Sequence, residues 1–536
     1  MRIEFVGAAR TVTGSSYILK NDDFTIMIDC GMFQGKRELK ERNYLGLIYA
    51  PEQIDALLVT HAHIDHSGLI PKLVKKGFNN RIFATKATCD LLEIMLPDSA
   101  HIQEMDSEWV SRRNKKLGRE PVEPLYTIED AQASISHLAP QNYGEIFEVV
   151  PGVKARFRDA GHILGSAFIE VWVTEKGKET KIVFSGDLGP DDQAIIKNAE
   201  VLDDADILLI ESTYGDRLHK SKTDTYAEFE KIINDAYNKQ GNIIIPSFAV
   251  ERTQEIIYTL GFLFREGKIP KIPVYIDSPL AISATEIFRK NPDCFDEATK
   301  TMLSRGESPL NFPNLTYTRS TQESKDLNKK AKGAIIISAS GMCTAGRIKF
   351  HLQNNLFKPE SSVIFVGYQA EGTLGRQLVE GEKRVRVYGE DVAVNAAIHT
   401  LGGFSGHADK NKLLSWIKTI QNPALKVFVV HGEEKASLNL SEEIKNLYGY
   451  ETYVPGWGDI YDLETFEKDH ADHYGVIDTD KVSHVEGDIE EVKDLLDDFI
   501  EKYRKLKEKG SVPLIKNLTN DVEDLKEMIK MISKRF

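Results

Sequence analysis

The apolar run Ile54-Asp55-Ala56-Leu57-Leu58-Val59-Thr60 leads straight into His61-Ala62-His63-Ile64-Asp65-His66, and no other stretch limits the fold as tightly. The first half has the length and hydrophobicity of an interior strand. Beyond it, Leu69, Ile70 and Leu73 recur at helical spacing until Gly77. Four side chains able to bind a metal therefore share one strand-to-helix loop, where a rigid scaffold can aim them at a single point. Three histidines packed so closely would repel one another when protonated, which favours a neutral, metal-held cluster over a merely polar loop. Zinc takes His nitrogen and Asp oxygen at about 2.0–2.2 Å, so such a loop needs neither cysteine nor a long reach.

The four cysteines, Cys30, Cys89, Cys294 and Cys343, are scattered over 536 residues and form no Cys-x-x-Cys pair. They argue against both a disulfide framework and a thiolate zinc site. Histidine and carboxylate remain, the ligand set of hydrolytic di-metal centres. The length allows several domains, and 41% hydrophobic with 28% charged residues is the composition of a soluble globular protein. No apolar run reaches membrane-spanning length, and Met1 to Gly7 reads as a strand rather than a secretion signal. No membrane partner and a cytoplasmic location are therefore expected. A net charge of −14 is unlike the basic footprint of a nucleic-acid binder, but it is unevenly spread. Tyr461 to Ile500 holds 14 acidic and 3 basic residues, −11 of the total, so the rest is near neutral and a local basic groove stays open.

Short strand-like runs dominate residues 1–209: Arg2 to Val6, Ser16 to Leu19, Thr25 to Asp29, Ile54 to Thr60, Ala167 to Val173 and Lys181 to Phe184. With helical patterns between some of them, an α/β layered architecture is expected. Over 210–394, strands such as Asn242 to Pro246, Val274 to Ile276, Ala334 to Ser338 and Ser362 to Val366 are mostly followed by helical stretches. That alternation predicts βαβ units and a separate parallel-sheet domain. Residues 395–460 return to the first domain, where His399 or His431, each directly after or within an apolar run, could join its site. The tail, 461–536, carries an apolar helical stripe from Ile489 to Leu506 and another from Val522 to Ile532, with Gly510 and Pro513 between. Such a helical hairpin is a packing or oligomerisation element, which leaves a homodimer open.

One loop cannot close a two-metal centre. Asp29 ends a strand before Cys30-Gly31, His162 lies in Ala160-Gly161-His162-Ile163-Leu164-Gly165-Ser166, and Asp187 follows Ile182-Val183-Phe184-Ser185-Gly186. Each has a glycine beside it that permits close backbone approach. An aspartate between two metals would bridge them and leave room for a hydroxide nucleophile.

With these partners the chain resembles the metallo-β-lactamase superfamily, an αβ/βα sandwich with its metal site along one edge. Ile210 to Arg217, Phe404-Ser405-Gly406-His407-Ala408-Asp409 and Val429-Val430-His431-Gly432-Glu433 are similar to motifs A, B and C of its β-CASP nucleases. Pro246 to Glu255, Asp277 to Ala281 and Ser338 to Met342 resemble the inserted β-CASP domain. The resemblance spans roughly Met1 to Val454. It implies one zinc on His61, His63 and His162, a second on Asp65, His66 and His431, Asp187 bridging, and Asp29 behind them orienting a ligand or the nucleophile. Histidine at position 431 goes with RNA substrates in this family, and valine with the DNA-repair branch. His407, oriented by Glu211, is expected to protonate the departing 3′ oxygen. Attack on phosphorus would leave a 3′-hydroxyl and a 5′-phosphate on single-stranded RNA threaded between the domains, by internal cutting, 5′ trimming or both.

Arg252, Arg347 and Arg376, with Ser340 and Gly341, are the expected phosphate contacts, and Arg112 to Arg119 is a basic run suited to steering RNA. One departure stands out: Glu251 precedes Arg252 where the family pattern calls for glycine. Two alternatives differ in class. A thioesterase or lactamase would need neither the inserted domain nor the Glu211 and His407 pair, and a non-catalytic scaffold would have lost ligands.

Overall fold

The computed structural model describes residues 1–45, 50–116, 118–470 and 500. The chain divides into two compact units, Met1–Tyr44 with Tyr49–Asp472, and Leu45–Ile48 with His473–Phe536. All the strands described belong to the first unit, and the two apolar stripes of the tail lie outside the described residues. Among the latter, no helix is long and apolar enough to cross a membrane.

Two sheets build the outer domain. The eight-stranded sheet runs, edge to edge, Lys468–His470, Asp459–Asp462, Arg2–Phe5, Tyr17–Lys20, Thr25–Ile28, Ala56–Leu58, Arg81–Thr85 and Leu138–Gln141. The seven-stranded sheet runs Glu451–Tyr453, Lys426–Val430, Ile207–Glu211, Lys178–Phe184, Ala167–Glu175, Val153–Asp159 and Ile146–Val150. Alternation along the strands explains why they stack. Ile207 and Leu209 point into the core between the sheets with Phe5, Ile26, Phe184 and Phe428. Leu208 and Ile210 point the other way, onto Leu413, Trp416 and Leu440 of the helices Lys410–Ile417 and Glu434–Tyr448. Both faces of this sheet are thus covered, and the strand reads as a continuous apolar run in consequence.

The third sheet is the inserted domain: Leu315–Tyr317, Val274–Ile276, Ile335–Ser338, Ile243–Pro246, Ser362–Phe365 and Ala397–Thr400, with every pairing parallel. Ile244, Ile336, Val363 and Phe365 bury one face against Ile348, Leu352 and Leu378. Two boundaries differ from the sequence expectation. Ala397–Thr400 pairs with Ser362–Phe365 and so extends the inserted sheet beyond residue 394, which carries His399 away from the outer domain. The apolar run 392–398 hides this because its two ends belong to different sheets. Residues 461–470, expected in a helical tail, instead continue the first sheet as a hairpin, Asp459–Asp462 with Lys468–His470. Asp462 turns it by accepting the backbone N–H of Glu464 and Thr465 at 2.9 and 3.0 Å.

Candidate metal centre

The side chains of the centre stand at strand ends or in the segments that follow them, Asp65 and His66 on the short helix Ile64–Ser67. Ala56–Leu58 presents His61, His63, Asp65 and His66, and Thr25–Ile28 presents Asp29. From the second sheet come His162 between two strands, Asp187 after Lys178–Phe184, Glu211 at the end of Ile207–Glu211, and His431 after Lys426–Val430. Asp29 and His431 hold φ of 58° and 47°, conformations disfavoured for residues with a Cβ and typical of functional loops.

Two separate groups of donors result, His61, His63, His162 and Asp187 in one, Asp65, His66 and His431 in the other, and a third, Asp187, Glu211 and His431, overlaps both. Nδ1 of His63 lies 3.2 Å from His61 Nε2 and 3.1 Å from His162 Nε2. Nε2 of His66 lies 3.1 Å from His431 Nε2, which in turn is 3.8 Å from Asp65 Oδ2. Asp187 sits between the groups and is buried. Its Oδ2 is 3.5 Å from His61 Nε2 and 3.6 Å from His162 Nε2, while Oδ1 is 3.4 Å from both His66 Nε2 and His431 Nδ1.

Outer partners decide which atom each ring turns inward. His162 Nδ1 donates to the Gly406 carbonyl at 2.7 Å, leaving Nε2 as a lone pair facing the cluster. His66 Nδ1 donates to Asp29 Oδ2 at 2.7 Å with the same effect, and Asp29 is itself held by the Thr60 N–H at 2.8 Å and the Ser15 hydroxyl at 3.2 Å. The Thr213 hydroxyl lies 3.2 Å from His431 Nδ1. Thr60, Ser15 and Thr213 escaped the sequence reading. The only signal for them is a small polar residue beside each ligand-bearing strand end, which is common elsewhere.

The protonation states suit a cation. Burial and then the neighbouring histidine charges hold His61 and His162 well below the ordinary imidazole value, and burial takes His63 down to about 4. Burial opposes ionisation of Asp187, but the His431, His66 and His407 charges outweigh it and keep the carboxyl well below its usual range. Burial lowers the His66 value, but the Asp187 and Asp29 carboxylates outweigh it and raise it well above the ordinary range, so a proton there stands where a cation would. The nitrogens of His61, His63 and His162 are neutral and converge on a carboxylate, and the buried Oδ1 of Asp187 has no hydrogen-bond partner among the described residues. The residues present therefore fit a metal, and an all-N/O donor set fits zinc.

Beside the cluster, His407 Nδ1 lies 3.2 Å from Glu211 Oε2 and 3.7 Å from Asp187 Oδ2. Glu211 is buried and anchored by the Leu188 N–H at 2.6 Å. Burial lowers the His407 pKa, yet Glu211 and Asp187 more than reverse this and raise it to about 9.

Residues 9–104 match the metallo-beta-lactamase superfamily, 253–378 the Beta-Casp domain and 391–455 the Zn-dependent metallo-hydrolase RNA specificity domain. Ribonuclease TTHA0252 of Thermus thermophilus is 36% identical over 460 residues, 86% of this chain and 99% of that protein. The chain belongs to the β-CASP branch of the metallo-β-lactamase superfamily. Among other β-CASP relatives are the transcription termination factors FttA of Methanocaldococcus jannaschii and Thermococcus kodakarensis, 29% and 30% identical, each covering 85% of this chain and aligned over 70% of its own length.

The β-CASP residues expected to meet phosphate fare differently from the ligands. Arg252 is buried, ion-paired with Glu255, and packed against Gly406 so tightly that a Cβ there would come within 2.6 Å of its Nη2. Arg347 donates to Asp277 Oδ1 at 2.7 Å, to the Thr318 carbonyl at 3.1 Å and to the Arg319 carbonyl at 3.0 Å. The Ser340 hydroxyl closes its own loop, accepting the Thr344 and Ala345 N–H groups at 3.1 and 3.2 Å. In the free protein all three are engaged by protein partners: Arg252 by Glu255, Arg347 by Asp277 and two carbonyls, and Ser340 by its own loop. Gly341 presses on Phe248, where a Cβ would lie 2.7 Å from the ring, and Phe248 lies 6.3 Å from the His63 ring. Arg376 alone keeps an accessible head, 33% exposed, with Glu380 at 2.6 Å on its Nε.

Proposed function

We propose that this chain is a zinc-dependent ribonuclease, with two zinc ions per chain, that hydrolyses phosphodiester bonds of single-stranded RNA to leave 3′-hydroxyl and 5′-phosphate ends. One observation carries the reading: the two oxygens of Asp187 face two separate donor groups, while the His407 and Glu211 pair stands against the same carboxylate. Zinc bound at both positions would supply an activated water at neutral pH and neutralise charge on the phosphoryl oxygens. The chain's own residues do the rest. His61, His63 and His162 would hold one ion and Asp65, His66 and His431 the other, with Asp187 shared between them and Asp29 fixing the ring of His66.

Glu211 binds Nδ1 of His407 and so leaves Nε2 to deliver a proton. A 3′ alkoxide is a poor leaving group until protonated, and a histidine that retains its proton at neutral pH is suited to that task. The pair is superfluous for a thioester, whose departing thiolate needs no such acid. A relative named as a ribonuclease, aligned over almost its whole length, and an RNA specificity domain over residues 391–455 support RNA as the substrate class.

Metal analysis followed by cleavage of end-labelled single-stranded RNA and DNA tests this. About two zinc ions per chain with RNA cut and DNA spared is the expected result. A protein that holds zinc, leaves RNA intact and hydrolyses a thioester overturns the nuclease reading, and equal cutting of DNA removes the weight placed on His431.

A further inference from the structure

Glu251 occupies a position that favours glycine twice over: the family pattern calls for it, and the backbone does too. Its φ of 64° and ψ of −58° make it the centre of a γ-turn closed by the Arg252 N–H on the Val250 carbonyl at 2.8 Å. That turn is rare and strained for any residue with a Cβ, and glycine would adopt it freely. A strained residue persists where its side chain does something that glycine cannot.

The carboxyl is buried at the joint between the domains. Oε2 accepts the Leu164 N–H at 3.0 Å, two residues beyond His162 in the same tight loop. The Gln193 amide also lies against the carboxyl, and its Nε2 donates to the His162 carbonyl at 3.0 Å. Two routes thus run from Glu251 to the His162 loop, one direct and one through Gln193. From its other side Glu251 opens the helix Arg252–Arg265 of the inserted domain, whose first residue packs on Gly406, the partner of His162 Nδ1. Oε1 of Glu251 and Oε1 of Gln193 are both buried without a hydrogen-bond partner among the described residues. Burial, opposed by Arg252, pushes this acid up to about 7.

We propose that Glu251 is a positioning residue that fixes the His162 loop through Leu164 and Gln193, coupling the seating of the inserted domain to the metal position formed by His61, His63 and His162. The inference rests on the reading of that cluster as a zinc centre. It does not depend on RNA being the substrate.

Full-length Glu251→Gly and Glu251→Gln, loaded with zinc or cobalt, test it by chelator challenge, cobalt spectrum, melting temperature and RNA cleavage. In Glu251→Gly, relief of strain opposes loss of the hydrogen bonds, so the melting temperature stays close to wild type. One of the two metals should be lost about 10- to 100-fold faster, with kcat falling by a similar factor and KM for RNA unchanged within about twofold. Glutamine keeps a carbonyl oxygen to accept the Leu164 N–H, so Glu251→Gln should hold both metals as wild type does. A Glu251→Gly protein that retains both metals and full kcat overturns the proposal, as does a Glu251→Gln protein damaged equally. Wild type that binds metal but spares RNA sinks the substrate reading alone, since the chelator comparison still judges Glu251. Wild type that takes up no metal sinks both.

Discussion

The metal cluster and the arginines of the inserted domain are both rich in charge, yet they are built on opposite principles. Around Asp187, each partner outside the cluster binds the far side of a ligand and leaves one atom turned inward: Asp29 on His66, the Gly406 carbonyl on His162. Around Asp277 the carboxylate is met from every side, and only the far Nδ1 of His351 is left without a partner among the described residues. Arg347, His351 and Ser324 reach its carboxylate at 2.7, 2.7 and 2.6 Å, and those bonds hold it below the ordinary range although burial pushes the other way. An incomplete shell of buried polar groups marks a site for something to bind, whereas a completed shell marks a structural joint.

The largest effect should come from breaking the incomplete shell at its centre. Asp187→Asn keeps the volume but removes the charge that faces both donor groups. Metal analysis should show loss of zinc, and cleavage should fall at least about 10³-fold, equivalent to about 4 kcal/mol of barrier. An Asp187→Asn protein that keeps two metals and a tenth of its activity would show that the two groups do not share this carboxylate.

His407→Ala should retain zinc and lose about 10²- to 10⁴-fold in kcat, the usual range for a general acid. The pH dependence has a definite sign. The active form of His407 carries the proton, and Glu211 and Asp187 raise its pKa above 6.5 toward about 9, against burial, so activity is present at neutral pH and lost as pH rises through the raised value. Metal bound to Asp187 offsets part of that attraction, which places the basic limb between 6.5 and about 9. Glu211→Gln should move the limb down. A limb that stays in place in the variant would separate Glu211 from the proton.

The residues gathered around Asp187 are legible in the sequence and the partners gathered around Asp277 are not, for physical reasons. His61 to His66 are confined to one loop, and Asp29, His162, Asp187 and His431 each stand beside an apolar strand, so topology had few ways of keeping them apart. The layered α/β sandwich and the parallel inserted sheet were legible for the same reason, in short apolar strands and their helices. Arg252, Arg347 and Ser340 carry no such signal. Whether a guanidinium meets solvent or is enclosed by distant chain, as Arg252 is by Gly406 and Arg347 by Asp277, depends on how the chain folds back, which no local spacing encodes. The strand Ala397–Thr400 is not separable from the outer domain by sequence, because an apolar run does not say which sheet it joins.

Arg347→Ala tests the completed shell. It removes hydrogen bonds to a buried carboxylate that His351 and Ser324 still partly satisfy, so stability should fall by about 2 kcal/mol, read as a lower denaturant midpoint. KM for RNA should stay within about twofold. A large rise in KM with unchanged stability would restore Arg347 as a phosphate contact.

Arg376 provides the smallest and most delicate contrast. Its Nε is paired with Glu380, and its Nη1 reaches the Gln369 carbonyl at only 3.5 Å, so the guanidinium is held on one side and open on the other. An exposed pair of this kind contributes about 0.2–1 kcal/mol, and stability should barely change in Arg376→Ala. If the open side meets a phosphate, RNA affinity should weaken about equally for all sequences, and the slope of log K against log salt should drop by about 1. Arg376→Lys keeps the charge but not the fork, and should recover the salt slope without the pairing to Glu380. An unchanged slope in Arg376→Ala would leave none of the three arginines in contact with RNA, and the backbone N–H groups of the loop around Gly341 would become the donors to test next.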